Sequence, residues 1–234
     1  MRKPYFPIAS SSSAAVSVRA CKDCASRSAL TSSALSTAAR IGEGAWLLAL
    51  PASYVAGLQV LVRSLVQGHE PAILSGRFTA EAFAAAALGM ASSVGGERVP
   101  SYTSLVPAQL ATLLDAAPHD RAVAEALRSF EAILIGGQAL PAALAARADD
   151  FGARVVRTYG SSETAGGCVY DGVPLDGVSV RIDDGRIVLG GSTVAKGYRN
   201  PVDPDPFVES GWFRTDDLGA VDDSGVLRVL GRID

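Results

Sequence analysis

Apolar residues along the chain form short continuous runs separated by stretches of helical spacing. Trp46-Leu47-Leu48-Ala49-Leu50 is an unbroken apolar run ended by Pro51, the pattern of a buried strand. Val55 to Val66 then places apolar residues at every third or fourth position and predicts a helix. The alternation continues. The pattern predicts a short strand over Pro71–Leu74, an Ala-rich helix over Ala80–Leu88 and a strand over Val99–Leu105. A helix follows over Pro107–Ala116, with proline in the first turn, where no N–H is needed. Next come a helix from Arg121 to about Ser129, a strand over Ala132–Ile135, a helix opened by Pro141 and running to about Asp150, and a strand over Ala153–Val156. Ser28 to Arg40 can form a further helix ahead of all these. Strands and helices alternating through short connections predict an α/β fold, a mainly parallel sheet covered by helices. Such sheets bind ligands at the carboxyl ends of their strands.

After Gly172 the texture changes. Val178–Ile182, Arg186–Leu189 and Val226–Leu230 read as short strands, with Asp183-Asp184-Gly185 and Asp222-Asp223-Ser224-Gly225 as hairpin turns. This predicts a small antiparallel β subdomain over 171–234, following an α/β part over 28–170. Residues 1–27 are irregular and rich in Ser and Ala, with Ser10 to Ser13 in a row. The end at Gly231-Arg232-Ile233-Asp234, without a polar tail or closing helix, reads as a cut.

Composition narrows the function classes. The 234 residues are 48% hydrophobic and 19% charged, enough for a sizeable core and too apolar for global disorder. A net charge of −3 argues against a nucleic-acid surface. No apolar run approaches a membrane span, and the Ser/Ala-rich start after Met1-Arg2-Lys3 lacks the apolar core of a signal peptide. Cys21, Cys24 and Cys168 suit a reducing cytoplasm. The lone Cys21-x-x-Cys24 has no second pair or neighbouring histidine and reads as chance spacing, and His69 and His119 read as surface residues.

Candidate chemistry concentrates in Arg157-Thr158-Tyr159-Gly160-Ser161-Ser162-Glu163-Thr164-Ala165-Gly166, directly after a strand. An aromatic ring, hydroxyls, a carboxylate and glycines suit a base, phosphate oxygens and Mg²⁺, and equally an ordinary turn. Gly136-Gly137 is another strand end, where bare backbone can approach a flat base or simply turn. In Gly211-Trp212-Phe213-Arg214-Thr215-Asp216-Asp217-Leu218-Gly219, Asp216 can accept two ribose hydroxyls, or the pair can be a solvated turn. On residues alone, Arg63 in the predicted helix reads as a snorkelling arginine rather than a fork aimed into a cleft.

Four ordered segments, Ile135-Gly136-Gly137, Tyr159-Gly160-x-Ser162-Glu163, Gly211 to Gly219 and Gly231-Arg232-Ile233-Asp234, resemble the acyl-adenylate-forming, or AMP-binding, enzymes. The likeness covers about residue 28 to the end. Leu48 to Leu65, Ser104 to Leu110 and Leu134 to Pro141 resemble the o-succinylbenzoate–CoA ligase branch of that family, which serves menaquinone synthesis. The resemblance implies an ATP- and Mg²⁺-dependent ligase that adenylates a carboxylic acid and passes the acyl group to CoA. It implies that Tyr159, Gly160 and the Gly136-Gly137 backbone hold adenine, Ser162 contacts phosphate and Glu163 binds Mg²⁺. It further implies that Asp216 and Arg232 hold ribose and that Asp234 marks a hinge. Arg63, with Tyr54 and Gly57 beside it, would bind the acid, which reverses the snorkelling reading.

The pattern departs from the family in three places. Ser13 to Lys22, where a glycine-rich phosphate loop with a lysine is expected, contains no glycine; a local reading-frame shift would explain it. The family's small C-terminal domain, with its adenylation lysine, and most of the portion before the loop are also absent from the pattern. The expectation is therefore a partial and poorly active form, with two alternatives: a non-catalytic adenylate-binding remnant, or a ligase for another acid.

Overall fold

The computed structural model describes residues 27–90, 93–94, 96–200, 202–207 and 209–233. Helix α1 (Arg27–Ile41) leads into β1 (Ala45–Leu48), α2 (Val55–Gln67), β2 (Ala72–Ile73) and α3 (Ala80–Leu88). A small hairpin, β3 (Ser93–Val94) and β4 (Glu97–Arg98), precedes β5 (Ser101–Leu105), α4 (Pro107–Ala116), α5 (Arg121–Ser129), β6 (Ala132–Ile135) and α6 (Ala142–Phe151). Then come β7 (Val155–Ser161), a 3₁₀ turn (Ser162–Thr164), β8 (Gly166–Tyr170) and β9 (Val173–Pro174). The chain closes with β10 (Val178–Asp183), β11 (Arg186–Gly191), β12 (Trp212–Val221) and β13 (Leu227–Arg232).

The first sheet has the order β2-β1-β5-β6-β7-β8-β9. Its pairs are parallel from β2 through β7, and antiparallel from β7 to β9. Alternation along the strands explains the two-sided core. Leu47, Ala49, Leu105, Ile133 and Ile135 face a cluster with α3 to α6, anchored by Phe83, Leu110, Leu127 and Phe130. Trp46, Leu48, Tyr102, Ala132 and Leu134 face the opposite side, where Val60 of α2 and Tyr170 of β8 cover them. Helix ends follow local chemistry: Asp120 accepts from the Ala122 and Val123 N–H groups, and Gly68 turns left-handed at the end of α2.

The second sheet, β10-β11-β12-β13, is antiparallel throughout and begins at Val178, after the last strand of the first sheet ends at Pro174. It packs against β8 through Cys168, Val169, Ile187, Leu189 and Leu227. The α/β layering and the separate β sheet match the expectation from sequence. Several elements exceed it. Strand β7 continues to Ser161 and pairs with β8, so the nucleotide-like motif lies on a strand as well as a turn. The Gly211–Gly219 stretch is mostly strand β12, and the β3–β4 hairpin was not anticipated. Among the described residues no helix is long and apolar enough to cross a membrane.

Candidate active site

Two cavities open at the carboxyl ends of β1, β5, β6 and β7. The smaller, about 110 Å³, lies between α2 and the sheet, and Arg63, Gln59, Ser104, Val106 and Tyr170 are in its wall. Arg63 is 3% exposed. Its guanidinium lies 4.7 Å from the Trp46 ring centre. Nη1 donates to Ser104 Oγ at 3.5 Å and Nη2 to Tyr170 OH at 3.3 Å, while Nε has no partner. Among the described residues no carboxylate pairs with it. Burial lowers its pKa, opposed by Tyr170, but an arginine stays charged in a protein. Arg63 is thus a buried cation facing a cavity, which corrects the snorkelling expectation. The reason is the face of α2: Val60, Arg63 and Ser64 turn inward with Gln59, while Leu65 turns outward.

The larger cleft, about 980 Å³, runs between the two sheets. Gly137, Thr158 and Gly160 line both cavities, which are therefore neighbours across these residues. Two glycines near this junction, Gly136 in the wall of the smaller cavity and Gly160 in the walls of both, are bare backbone for a steric reason. A Cβ on Gly136 would stand 2.4 Å from Thr158 Oγ1, and one on Gly160 would stand 2.2 Å from the Gly166 carbonyl oxygen. Tyr159 lines the cleft and donates its OH to Asp217 Oδ2 at 2.7 Å. Burial, reinforced by that carboxylate, holds the Tyr159 phenol well above its ordinary pKa.

The two aspartates of β12 divide the work by strand alternation. Asp216 is exposed; its carboxylate takes Arg186 Nη1 at 2.9 Å and lies 4.0 Å from Arg232 Nη2. Asp217 is half-buried against Tyr159. The carboxylate joined to the aromatic ring is therefore Asp217, while Asp216, the residue expected at the ribose, lines the same cleft from its exposed edge. The signal was present: on a strand, adjacent acids point to opposite faces. Glu163 sits in the 3₁₀ turn and lines the cleft, with Oε1 accepting from Tyr198 OH at 2.8 Å. Its backbone oxygen is held by the Ala195 N–H at 2.7 Å. Among the described residues no three potential ligands cluster. One carboxylate lining a cleft of this size still fits Mg²⁺, which is commonly held by one or two carboxylates together with substrate phosphates.

Other sequence-predicted residues fall less neatly. Ser162 stands in the turn but lines neither cavity; Ser161 does line the cleft, and its buried Oγ has no partner. Tyr54 is 70% exposed at the head of α2. Gly57 lies against the Pro51 carbonyl, 2.3 Å from where a Cβ would stand, so it serves helix packing. Neither lines either cavity. Tyr170 and Gln59 were missed, because their roles depend on contacts across the fold. His69 and His119 line neither cavity. The Ser13–Lys22 stretch, the Cys21/Cys24 pair and Asp234 lie outside the described residues.

Comparisons with known proteins agree with this geometry. A family model described as AMP-binding enzyme matches residues 16–199. The chain is 53% identical over 211 residues to a probable 2-succinylbenzoate–CoA ligase of Mycobacterium tuberculosis (strain ATCC 25618 / H37Rv), covering 88% of this chain and 53% of that protein. It is 31% identical over 226 residues to the 2-succinylbenzoate–CoA ligase of Bacillus licheniformis, covering 86% and 44% respectively. The chain spans about half the length of these curated relatives. Among solved structures, the o-succinylbenzoate CoA synthetase of Bacillus subtilis in complex with the acyl-adenylate intermediate OSB-AMP superposes with a TM-score of 0.73 at 28% identity, covering 88% of this chain and 45% of that one. A malonyl-CoA ligase with methylmalonyl-CoA and AMP bound gives 0.76 at 28%, covering 90% and 49%. With most of its length matched by the family model, the chain belongs to the AMP-binding enzyme family.

Proposed function

We propose that the two neighbouring cavities are the acid and nucleotide halves of an ATP-dependent acid–CoA ligase site, with o-succinylbenzoate as the acid and menaquinone synthesis as the pathway. The observation that carries this reading is Arg63, a buried cation lacking a carboxylate partner among the described residues, facing a cavity that shares Gly137, Thr158 and Gly160 with the larger cleft. A guanidinium held on an aromatic face by two hydroxyls is built to receive a carboxylate from outside the chain. The reacting carboxyl of a diacid anchored there would point toward Gly137, Thr158 and Gly160, where the cavities meet. The likeness to 2-succinylbenzoate–CoA ligases supports the aromatic diacid.

On the nucleotide side, Tyr159 and the Gly136-Gly137 backbone take adenine and Asp217 takes a ribose hydroxyl through its free oxygen. Asp216 and Arg232 support the rim. Mg²⁺ at Glu163 would offset charge on the phosphates. Attack of the acid's carboxylate on the α-phosphorus of ATP expels pyrophosphate and yields the acyl-adenylate, and the CoA thiol, losing its proton, then attacks the acyl carbon and releases AMP. The chain's own part is to orient the acid, supply donors to the phosphoryl oxygens and exclude water. ATP and CoA place the reaction in the cytoplasm. The glycine-free Ser13–Lys22 stretch favours a second reading of the same site, adenylate binding with little turnover.

Isothermal titration with non-hydrolysable adenylate analogues tests the assignment. An o-succinylbenzoyl analogue should bind more tightly than a benzoyl analogue lacking the distal carboxylate, and Arg63→Met should erase the difference. Equal affinities in the native chain would overturn the diacid reading. Pyrophosphate release with ATP and the free acid separates the turnover and binding-only readings.

A further inference from the structure

We propose that Gln59 is a positioning residue for the nucleotide cleft, acting from the acid cavity through the Ala165 carbonyl. The proposal rests on the reading of the larger cleft as the nucleotide site. Gln59 stands one turn before Arg63 on α2 and is 1% exposed. It lines the acid cavity and not the larger cleft. Its Nε2 donates to the Ala165 carbonyl at 2.6 Å and to the Leu30 carbonyl of α1 at 3.3 Å. The Oε1 has no partner, and the opposite amide orientation would set that oxygen against two carbonyl oxygens.

The residue that Gln59 grips is unusual. Ala165 is fully buried and adopts φ 55°, a left-handed conformation that a side chain disfavours. Its N–H closes on the Ser162 carbonyl at 3.1 Å, so Ala165 terminates the turn that presents Glu163. Gly166 follows at φ 102°, and a Cβ there would meet Gln59 Cγ at 3.2 Å. The glutamine therefore fills the space behind the turn and supplies the hydrogen bond that keeps Ala165 left-handed. Glu163 and Ser161 hold their places in the cleft because α2 props the turn from behind. The helix that carries Arg63 thus also sets the geometry on the phosphate side.

The test is AMP affinity by calorimetry in the native chain, in Gln59→Leu and Gln59→Met, and in each combined with Ala165→Gly. Both single variants keep the bulk and remove the donor, and thermal unfolding checks that at least one folds. AMP binding should weaken between about threefold and tenfold, the range that one buried hydrogen bond carries. Ala165→Gly removes the conformational cost and should restore most of the loss. Unchanged AMP affinity in a folded variant, or a loss that Ala165→Gly leaves untouched, would overturn the proposal. A native chain that binds no AMP would remove the cleft reading and this proposal with it.

Discussion

The cavity around Arg63 and the cleft around Asp217 meet at Gly137, Thr158 and Gly160, yet they are built by opposite means. The first lies between a helix and a parallel sheet, and it holds a single buried charge with hydroxyls and an indole around it. The second lies open between two sheets, and its rim charges are mutually paired: Asp216 with Arg186, and Arg157 with Asp171. A buried unpaired charge is costly to the free chain and valuable to a ligand that neutralises it. Paired charges in water contribute little to either. The small half with the unpaired charge therefore decides which acid is held, and the large half accommodates a ligand component that brings its own charge.

This contrast can be tested at four places, from the largest effect downward. Arg63→Met should weaken an o-succinylbenzoyl-adenylate analogue by about 100-fold, in line with truncating one partner of a desolvated charge pair. The same substitution should stabilise the free chain by about 1–3 kcal/mol in urea unfolding, since it removes an unpaired buried cation. A destabilised free chain would show that Arg63 is structural. Next, Gly136→Ala places a methyl 2.4 Å from Thr158 Oγ1. It should cost about 1–3 kcal/mol of stability by overpacking and weaken AMP about tenfold. Replacing Thr158 by Ala in that background should recover part of both losses.

Asp217→Asn should then weaken AMP about tenfold, by about 1.5 kcal/mol for a charged hydrogen bond, whereas Asp216→Asn should change it about twofold or less. Equal effects would erase the distinction between the two faces of β12. The smallest effect at neutral pH concerns Cys168, buried where the sheets join. Burial pushes its thiol up to about 12, from an ordinary value of 9.0. The folded chain keeps the proton where the unfolded chain has lost it. This contribution to stability is complete below pH 9.0 and is lost as the pH rises toward about 12. Denaturant unfolding at stepped alkaline pH should show that decline in the native chain and a shallower one in Cys168→Ala.

Legibility in the sequence followed the range of the interactions. The α/β alternation was readable because Trp46–Leu50 and Ala132–Ile135 are continuous apolar runs, and α4 and α6 begin at or just after prolines. The bare backbone was readable because Gly136-Gly137 interrupts a strand end. Strand β8 was not, since Gly166-Gly167 gives little strand signal and pairing with β7 supplies what propensity lacks. The bond from Tyr159 to Asp217 was not legible, because the Gly211–Gly219 stretch was read as a connection and strand alternation was never applied to it. Tyr54 and Gly57 were drawn in by proximity to Arg63 along the chain, but α2 turns Tyr54 to solvent and uses Gly57 to pack on Pro51. Tyr170 lies 107 residues from Arg63 in sequence, and only the folded sheet brings them together.

The central claim is that one ligand spans both cavities, with its acid end held by Arg63 and its nucleotide end by Asp217. Calorimetry with AMP and with the o-succinylbenzoyl-adenylate analogue, on the native chain, Arg63→Met and Asp217→Asn, tests it most directly. The account predicts that the analogue is weakened by both substitutions and AMP by Asp217→Asn alone. An analogue indifferent to Arg63→Met, or AMP weakened equally by both substitutions, would contradict it.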